Sequence, residues 1–399
     1  PRDRVMNEIV ELGPEGFQKI SALLVAPGTG DDTAVRFALN SLSRYVSQFG
    51  KEAEKDFVET QLLTALGKPS DKMVMTFLLN QLNLVGGEKT VAAVKSYLND
   101  ETLCEPATQT LLSTGNKSAA QAFLDALPVS GEKNKATLVK ALGELKCVAA
   151  TEQITPLTKA GNPALKKAAL AALANIGHPN SFKILLNAAK EVNFAYEPTN
   201  AAEAFIDYTN RLGENIETDL CKKACKEIFK ANTSADQLHN YSKALAIYSS
   251  HFGTEAMPFL LKAVDNSDKP FRYSALNLAE KMNDVATPRQ WIAKAGTVSD
   301  ETKAEIIDML GRKGDVLAVN FVKENLQSRS GVVRAEAINT LLKLEGSKAV
   351  PVLIEHMANG QDLEAAKTAL QQLLSRSTSP QWLPNSTKHR EKQKLSLSI

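Results

Sequence analysis

The chain is short of the features that would announce a chemistry. It holds four cysteines in 399 residues, Cys104, Cys147, Cys221 and Cys225. They are too few and too scattered for a disulfide framework, and they lack the paired CxxC spacing of a zinc site. Aromatic residues make up only 6%, so leucine and alanine must supply the core. Neither sign of charge prevails. Interspersed along the chain, 47 basic and 45 acidic side chains leave a formal net charge of +2, which removes the large field that would gather nucleic acid or an anionic lipid surface. No apolar run approaches the roughly 18 residues that span a bilayer, so no membrane span is expected. Residues 1–10 lack the apolar stretch of a signal peptide. Since the first residue is Pro1 rather than methionine, loss of an upstream segment stays open as an expectation.

Catalytic constellations are missing as well. None of the five histidines, His178, His239, His251, His356 and His389, sits in a local motif that supplies a nucleophile with its base, a carboxylate pair or a metal set. The loop Pro27-Gly28-Thr29-Gly30-Asp31-Asp32 lacks the Gly-Lys-Ser/Thr ending of a phosphate-binding loop and follows a helix, so it reads as an interhelical turn with an aspartate cap. Cys221 and Cys225 share one helical face but have no third ligand at a supporting spacing; they read as small buried side chains. Asn116-Lys117-Ser118 and Asn232-Thr233-Ser234 match the glycosylation pattern at expected turns and mark exposure. The expectation is a non-enzymatic chain with no cofactor and no metal.

What the sequence does contain is a repeat. GDDTAVRFALNSL ending at Leu42, SDKMVMTFLLNQL at Leu82, GNPALKKAALAAL at Leu173 and SGVVRAEAINTL at Leu341 are one pattern. Its last apolar column runs through Leu42, Leu82, Leu111, Leu142, Leu173, Ala279, Leu310, Leu341 and Leu373, most steps being about 31 residues. Apolar residues three and four positions earlier, such as Leu170 with Ala169 and Ile338 with Ala337, put the pattern on one face of a helix. Gly86, Gly115, Gly177 and Gly314 follow the column and are expected to end this first helix in the left-handed conformation. Asp31, Asp71, Asp268, Asp300 and Ser330 are expected to cap its start. A second amphipathic segment comes next, as in NSFKILLNAA and KAVPVLIEHM, so each repeat is a helical hairpin. One hairpin cannot bury both apolar stripes, and neighbours must stack. The fold expected is all-α, a right-handed α-α superhelix or HEAT/armadillo-like solenoid of about eleven hairpins over residues 1–376, with a concave face built from the second helices; which face binds is left open.

The copies NPALKKAALAALANIGHP, SGVVRAEAINTLLKLEGSKAVPVLIEHM and SDKPFRYSALNLAEKMND resemble the short bacterial HEAT repeats of the phycobilisome-lyase type, including a basic residue early in the first helix, here Lys167, Arg334 and Arg272. The opening LLVAPGTGDDTAVRFALNSLSRYVSQ is similar to the HEAT region of exported Bacteroidetes proteins, in which such an array precedes a domain of the 3-keto-disaccharide hydrolase type. That second resemblance implies a bacterial exported protein of the periplasm or cell envelope. No such catalytic domain is present in these residues.

Steps lengthen between Leu173 and Ala279, where four of the seven tyrosines collect, Tyr196, Tyr208, Tyr241 and Tyr248. Two readings stand. The rings fill gaps left by drifted repeats, or Tyr208, Arg211, His239 and Tyr241 form a binding site. At the other end, residues 361–375 read as a first helix without a partner, followed by a polar, basic stretch over residues 377–399 that is either a tail or a junction to further chain. Trp382 and Leu383 folding back as a lid is the alternative. The function expected is a protein-interaction scaffold with a protein partner, the amino-terminal arm of a larger exported protein. Carbohydrate binding is the alternative, and nucleic-acid binding is disfavoured by the mixed charge of the second helices.

Overall fold

The computed structural model of the chain describes residues 2–377, apart from 69, 116, 283, 285, 286, 359 and 361. Among the described residues every regular element is helical. The chain divides into two compact units, Pro1–Ala231 and Asn232–Ile399, and the division falls within the irregular stretch between Leu173 and Ala279.

The first unit is a run of seven helical hairpins. They pair α1 (Arg2–Glu11) with α2 (Gly13–Ser21), α3 (Thr33–Val46) with α4 (Glu52–Leu66), α5 (Lys72–Val85) with α6 (Glu88–Val94), and α7 (Cys104–Ser113) with α8 (Lys117–Ala126). Then come α9 (Glu132–Glu144) with α10 (Thr151–Ile154), α11 (Pro163–Ile176) with α12 (Phe182–Glu191), and α13 (Ala201–Glu214) with α14 (Thr218–Ala231). The second unit pairs α15 (Leu238–Phe252) with α16 (Met257–Ala263), α17 (Lys269–Glu280) with α18 (Thr287–Ala295), α19 (Asp300–Lys313) with α20 (Val319–Asn325), and α21 (Gly331–Glu345) with α22 (Val350–Ala358), and ends in α23 (Leu363–Ser377). The described residues thus hold the all-α hairpin array that the repeat implied. The expected tail, with Trp382, Leu383, His389 and the basic run, lies outside the described residues except for Ser377.

Within each unit, successive first helices lie side by side. Their apolar columns are the core: Leu42, Leu82, Leu111, Leu142 and Leu173 in the first unit and Ala279, Leu310 and Leu341 in the second are completely buried. Each buried leucine is worth roughly 2 kcal/mol, so the shared interfaces between hairpins dominate stability. Small residues beside the column set how closely the helices approach. A Cβ built on Gly143 of α9 would lie 2.7 Å from the Ala172 Cα of α11, and one on Gly311 of α19 would lie 2.8 Å from the Thr340 Cγ2 of α21. Where threonine precedes the column, its hydroxyl crosses to the neighbouring first helix. Thr110 donates to the Leu79 carbonyl at 3.0 Å and Thr340 to the Ile307 carbonyl at 3.3 Å. The same contact recurs in both units because the register recurs.

Several local expectations need correction. Gly177 and Gly314 do end α11 and α19 in the left-handed region, at φ 70° and 71°. Gly86 instead continues in extended backbone at φ −63°, ψ 143°. What it supplies is space, since a Cβ there would meet the Leu82 carbonyl oxygen at 2.7 Å. Asp71 and Asp268 cap α5 and α17 as expected, accepting from the Met73 and Phe271 amides. For α19 the cap is Ser299 rather than Asp300, which is already helical, and Ser330 makes no side-chain cap bond. Asn232 is completely buried and accepts from Asn240 at 2.9 Å, so that glycosylation match does not mark exposure. Asn116 lies outside the described residues.

Candidate interaction surface

The four residues singled out from the sequence lie on two helices, each in a different unit. Tyr208, on α13, is completely buried and donates its hydroxyl to the His178 carbonyl at 2.9 Å. Burial pushes its phenol well above the usual tyrosine range, with Glu217 adding to the effect. One turn on, Arg211 lays its stem across Gly177, leaving no room for a side chain there, and pairs with Glu214. On α15, Tyr241 is buried edge-on against Phe271 with ring centroids 5.3 Å apart, while His239 is exposed, its Nδ1 3.0 Å from the Asp236 carbonyl oxygen. Tyr248 packs against Phe252 and Phe259, each at 4.9 Å. Of the central tyrosines discussed, Tyr196 is the one that is exposed, at 91%.

Two hollows open on the first helices of the second unit. A hollow of about 530 Å³ opens between α15 and α17, lined by Ala246, Ser250, Gly253, Leu278, Lys281 and Met282. Another, of about 220 Å³, opens between α21 and α23, where Glu336, Asn339, Leu342 and Lys343 face Gln372 and Leu373. The two occupy equivalent gaps between neighbouring first helices. Both hollows are formed by first helices.

A polar bridge joins the hollows across α17, α19 and α21. Arg312 of α19 pairs with Glu280, donates to the Asn277 Oδ1 at 3.2 Å, and pairs within its own helix with Asp308 at 2.9 Å. Lys343 of α21 reaches back to Asp308 at 2.7 Å and lies 3.7 Å from Glu336. Burial alone would raise the Asp308 carboxyl, but the hydrogen bonds and charges of Lys343 and Arg312 outweigh it and hold the group below the usual aspartate range. Glu336 goes the other way. Its burial, reinforced by Asp308, outweighs the help of Lys343 and raises its carboxyl. These cations are therefore committed to carboxylates of the same face, and the bridge presents little net charge.

The sequence carries the signal for this face. Asn277, Asp308 and Asn339 stand two residues before the apolar column, one per hairpin. Columns of core leucines attract the eye first, and the polar column beside them has no meaning until neighbouring first helices are known to lie side by side. Among the described residues, no group of three or more His, Cys, Asp or Glu side chains is placed to hold a metal, and no helix is long and apolar enough to cross a membrane.

Residues 288–374 match the family model of HEAT repeats. Among solved structures the chain is similar to Kap121p, at 10% identity over 91% of this chain and 49% of that one, with a TM-score of 0.48. A mutant of Kap121p gives 12% identity over the same shares and a TM-score of 0.44. Human deoxyhypusine hydroxylase in complex with glycerol gives 18% identity over 65% of this chain and 96% of that one, with a TM-score of 0.28. The chain spans about half the length of Kap121p. A search of curated proteins gives no match.

Proposed function

We propose that the chain is a non-catalytic scaffold that binds a protein partner, and that the first helices of the second unit carry the contact. The observation behind this reading is the pair of hollows joined by a polar bridge on one continuous row of helices. A row of stacked hairpins offers an extended surface, which suits a polypeptide better than a small molecule. The cations of the bridge are paired, which gives no support to nucleic acid as ligand.

Carbohydrate binding is the second reading, and the resemblance to exported glycan-processing proteins is its basis. Tyr208 and Tyr241 are buried, and neither hollow is lined by an aromatic ring on which a sugar could stack. From the central set, His239 keeps its exposure and stays available for contact. The same resemblance is the basis for proposing an exported parent located in the periplasm or envelope, with this chain as its amino-terminal arm.

Affinity capture on the full chain, run beside a glycan array, tests the reading. Recovery of a specific protein that competes for the second unit is expected. Specific glycan hits without any protein partner would overturn it in favour of the second reading.

A further inference from the structure

The hollow between α15 and α17 has an imbalance of polar groups. It opens beside the C-terminal ends of both helices, where free carbonyls ordinarily favour a cation. Here those carbonyls are taken. The Gly253 amide donates to the Ser249 carbonyl, and the Ser250 hydroxyl donates to the Ile247 carbonyl at 3.0 Å. On α17 the Lys281 and Met282 amides reach the Leu278 and Ala279 carbonyls at 3.2 and 3.1 Å, and the Lys313 ammonium covers the Glu280 and Met282 carbonyls. What remains on the hollow is a set of donors. Lys281 is exposed and makes no ion pair with a described residue. The Ser249 Oγ is buried without a hydrogen-bond partner. Among the described residues no carboxylate lines the hollow, and Glu280 is turned to Arg312. The other hollow lacks this imbalance, because its Lys343 is held by Asp308 and Glu336.

Donors left without acceptors complement an anion, and an ammonium with a hydroxyl suits a carboxylate. Ala246, Leu278 and Met282 set apolar walls beside them. A ligand must therefore bring a carboxylate and an apolar group to the same place. Neighbouring side chains of an extended chain point to opposite faces, so an internal acidic residue carries its charge away from the apolar residue next to it. At a carboxyl terminus one residue carries both, its carboxylate and its side chain being joined at a single Cα.

We propose that the hollow between α15 and α17 receives the carboxyl terminus of a polypeptide partner whose last residue is apolar, the carboxylate meeting Lys281 and the Ser249 Oγ and the side chain lying against Leu278 and Met282. This rests on the protein-binding reading above and names the part of the partner that is held. The probe is a phage-displayed library of random heptapeptides fused so that their carboxyl ends are free, selected on the full chain. Binding of the selected peptides, made synthetically, is then read by fluorescence anisotropy. An apolar last residue is expected to be enriched. Amidation of the carboxyl end is expected to weaken binding about tenfold and Lys281→Gln by a similar factor, the size of one charge-assisted hydrogen bond. The two losses should not add, so amidated peptides should bind the parent and Lys281→Gln alike. Ser249→Ala should cost the free-acid peptides about threefold. Lys281 is exposed at a helix end, so a thermal melt by circular dichroism is expected to show Lys281→Gln folded. Amidated peptides that bind as tightly as the free acids, or free acids that bind Lys281→Gln as tightly as the parent, would overturn the assignment and leave the scaffold reading standing. A library that yields no binder, with a native folded partner still captured, would also overturn it. Octanoate that displaces the peptides with equal affinity would overturn the polypeptide terminus and give the hollow to a free small acid.

Discussion

Arg272 forks its guanidinium onto Glu305 of the next hairpin, Nε to Oε2 and Nη2 to Oε1, both at 2.7 Å, with each side chain only 5% exposed. Its remaining Nη1 donates to the Asn266 and Ser267 carbonyls of the loop before its own helix. Arg334 repeats the arrangement two hairpins later in the array, with Asp362 as the carboxylate and the Ser328 and Arg329 carbonyls as the loop acceptors. Arg272 and Arg334 thus fasten successive hairpins. Arg272→Ala is expected to cost about 3–5 kcal/mol, because it leaves Glu305 buried without a cation. The double variant Arg272→Met/Glu305→Leu should lose much less, since both charges go together. Urea denaturation of the three proteins reads the difference, and equal losses in single and double variants would refute the assignment.

Gly143 and Ala172 make a second test. Alanine at 143 would gain about 1 kcal/mol of helix propensity in an isolated helix. Here its methyl meets the Ala172 Cα at 2.7 Å, so α9 and α11 must separate. A net loss of about 1–3 kcal/mol is expected for Gly143→Ala. Gly311→Ala meets only the Thr340 side chain and should cost less. A stabilised Gly143→Ala protein would mean that these helices are not in contact.

The pH dependence of the bridge follows from the opposite shifts of its two carboxylates. Asp308 is held below its ordinary value of 3.8 in the folded protein, so its stabilising contribution is complete above that pH and is lost as the pH falls through the depressed value. Asp308→Asn should lower stability at neutral pH and flatten the acid limb of the stability curve. Glu336 is raised above 4.5, so its ionised form weakens the fold at neutral pH and the penalty disappears as the pH falls through the raised value. Glu336→Gln should therefore stabilise at pH 7 and have less effect below pH 4. Melting temperatures of the two variants across the acid range check both signs.

Tyr208 anchors the drifted hairpin from inside. Removing its hydroxyl in Tyr208→Phe leaves the His178 carbonyl without this donor, and a loss of about 1 kcal/mol is expected. Thermal unfolding reads it, and an unchanged midpoint would contradict the placement of that hydroxyl.

How far the sequence could be read depended on how local the controlling physics is. The leucine and alanine columns report burial directly, so the first helices, their order and the hairpin count were legible. So were Asp71 and Asp268, because a cap acts within three residues. Ser299 was missed in favour of Asp300 because both are good caps and only the phase of the helix decides. Asn232 reads as a surface turn in the sequence; it is buried and accepts from Asn240, eight residues on, a contact that only folding makes. Tyr208 and Tyr241 were ambiguous for the same reason, since an amphipathic ring suits a core or a surface equally. The bridge of Asp308, Arg312 and Lys343 needed neighbouring first helices set side by side, a relation that no single repeat contains.

The central claim is that partners meet the first helices of the second unit. Photo-crosslinking in the source cells tests it most directly, with benzoylphenylalanine placed at Asn339 on α21 or, as the comparison, at Lys183 on the second helix α12. A discrete polypeptide adduct at Asn339 and none at Lys183 is the expected result. Adducts at Lys183 with none at Asn339 would contradict the claim and put the binding face on the second helices.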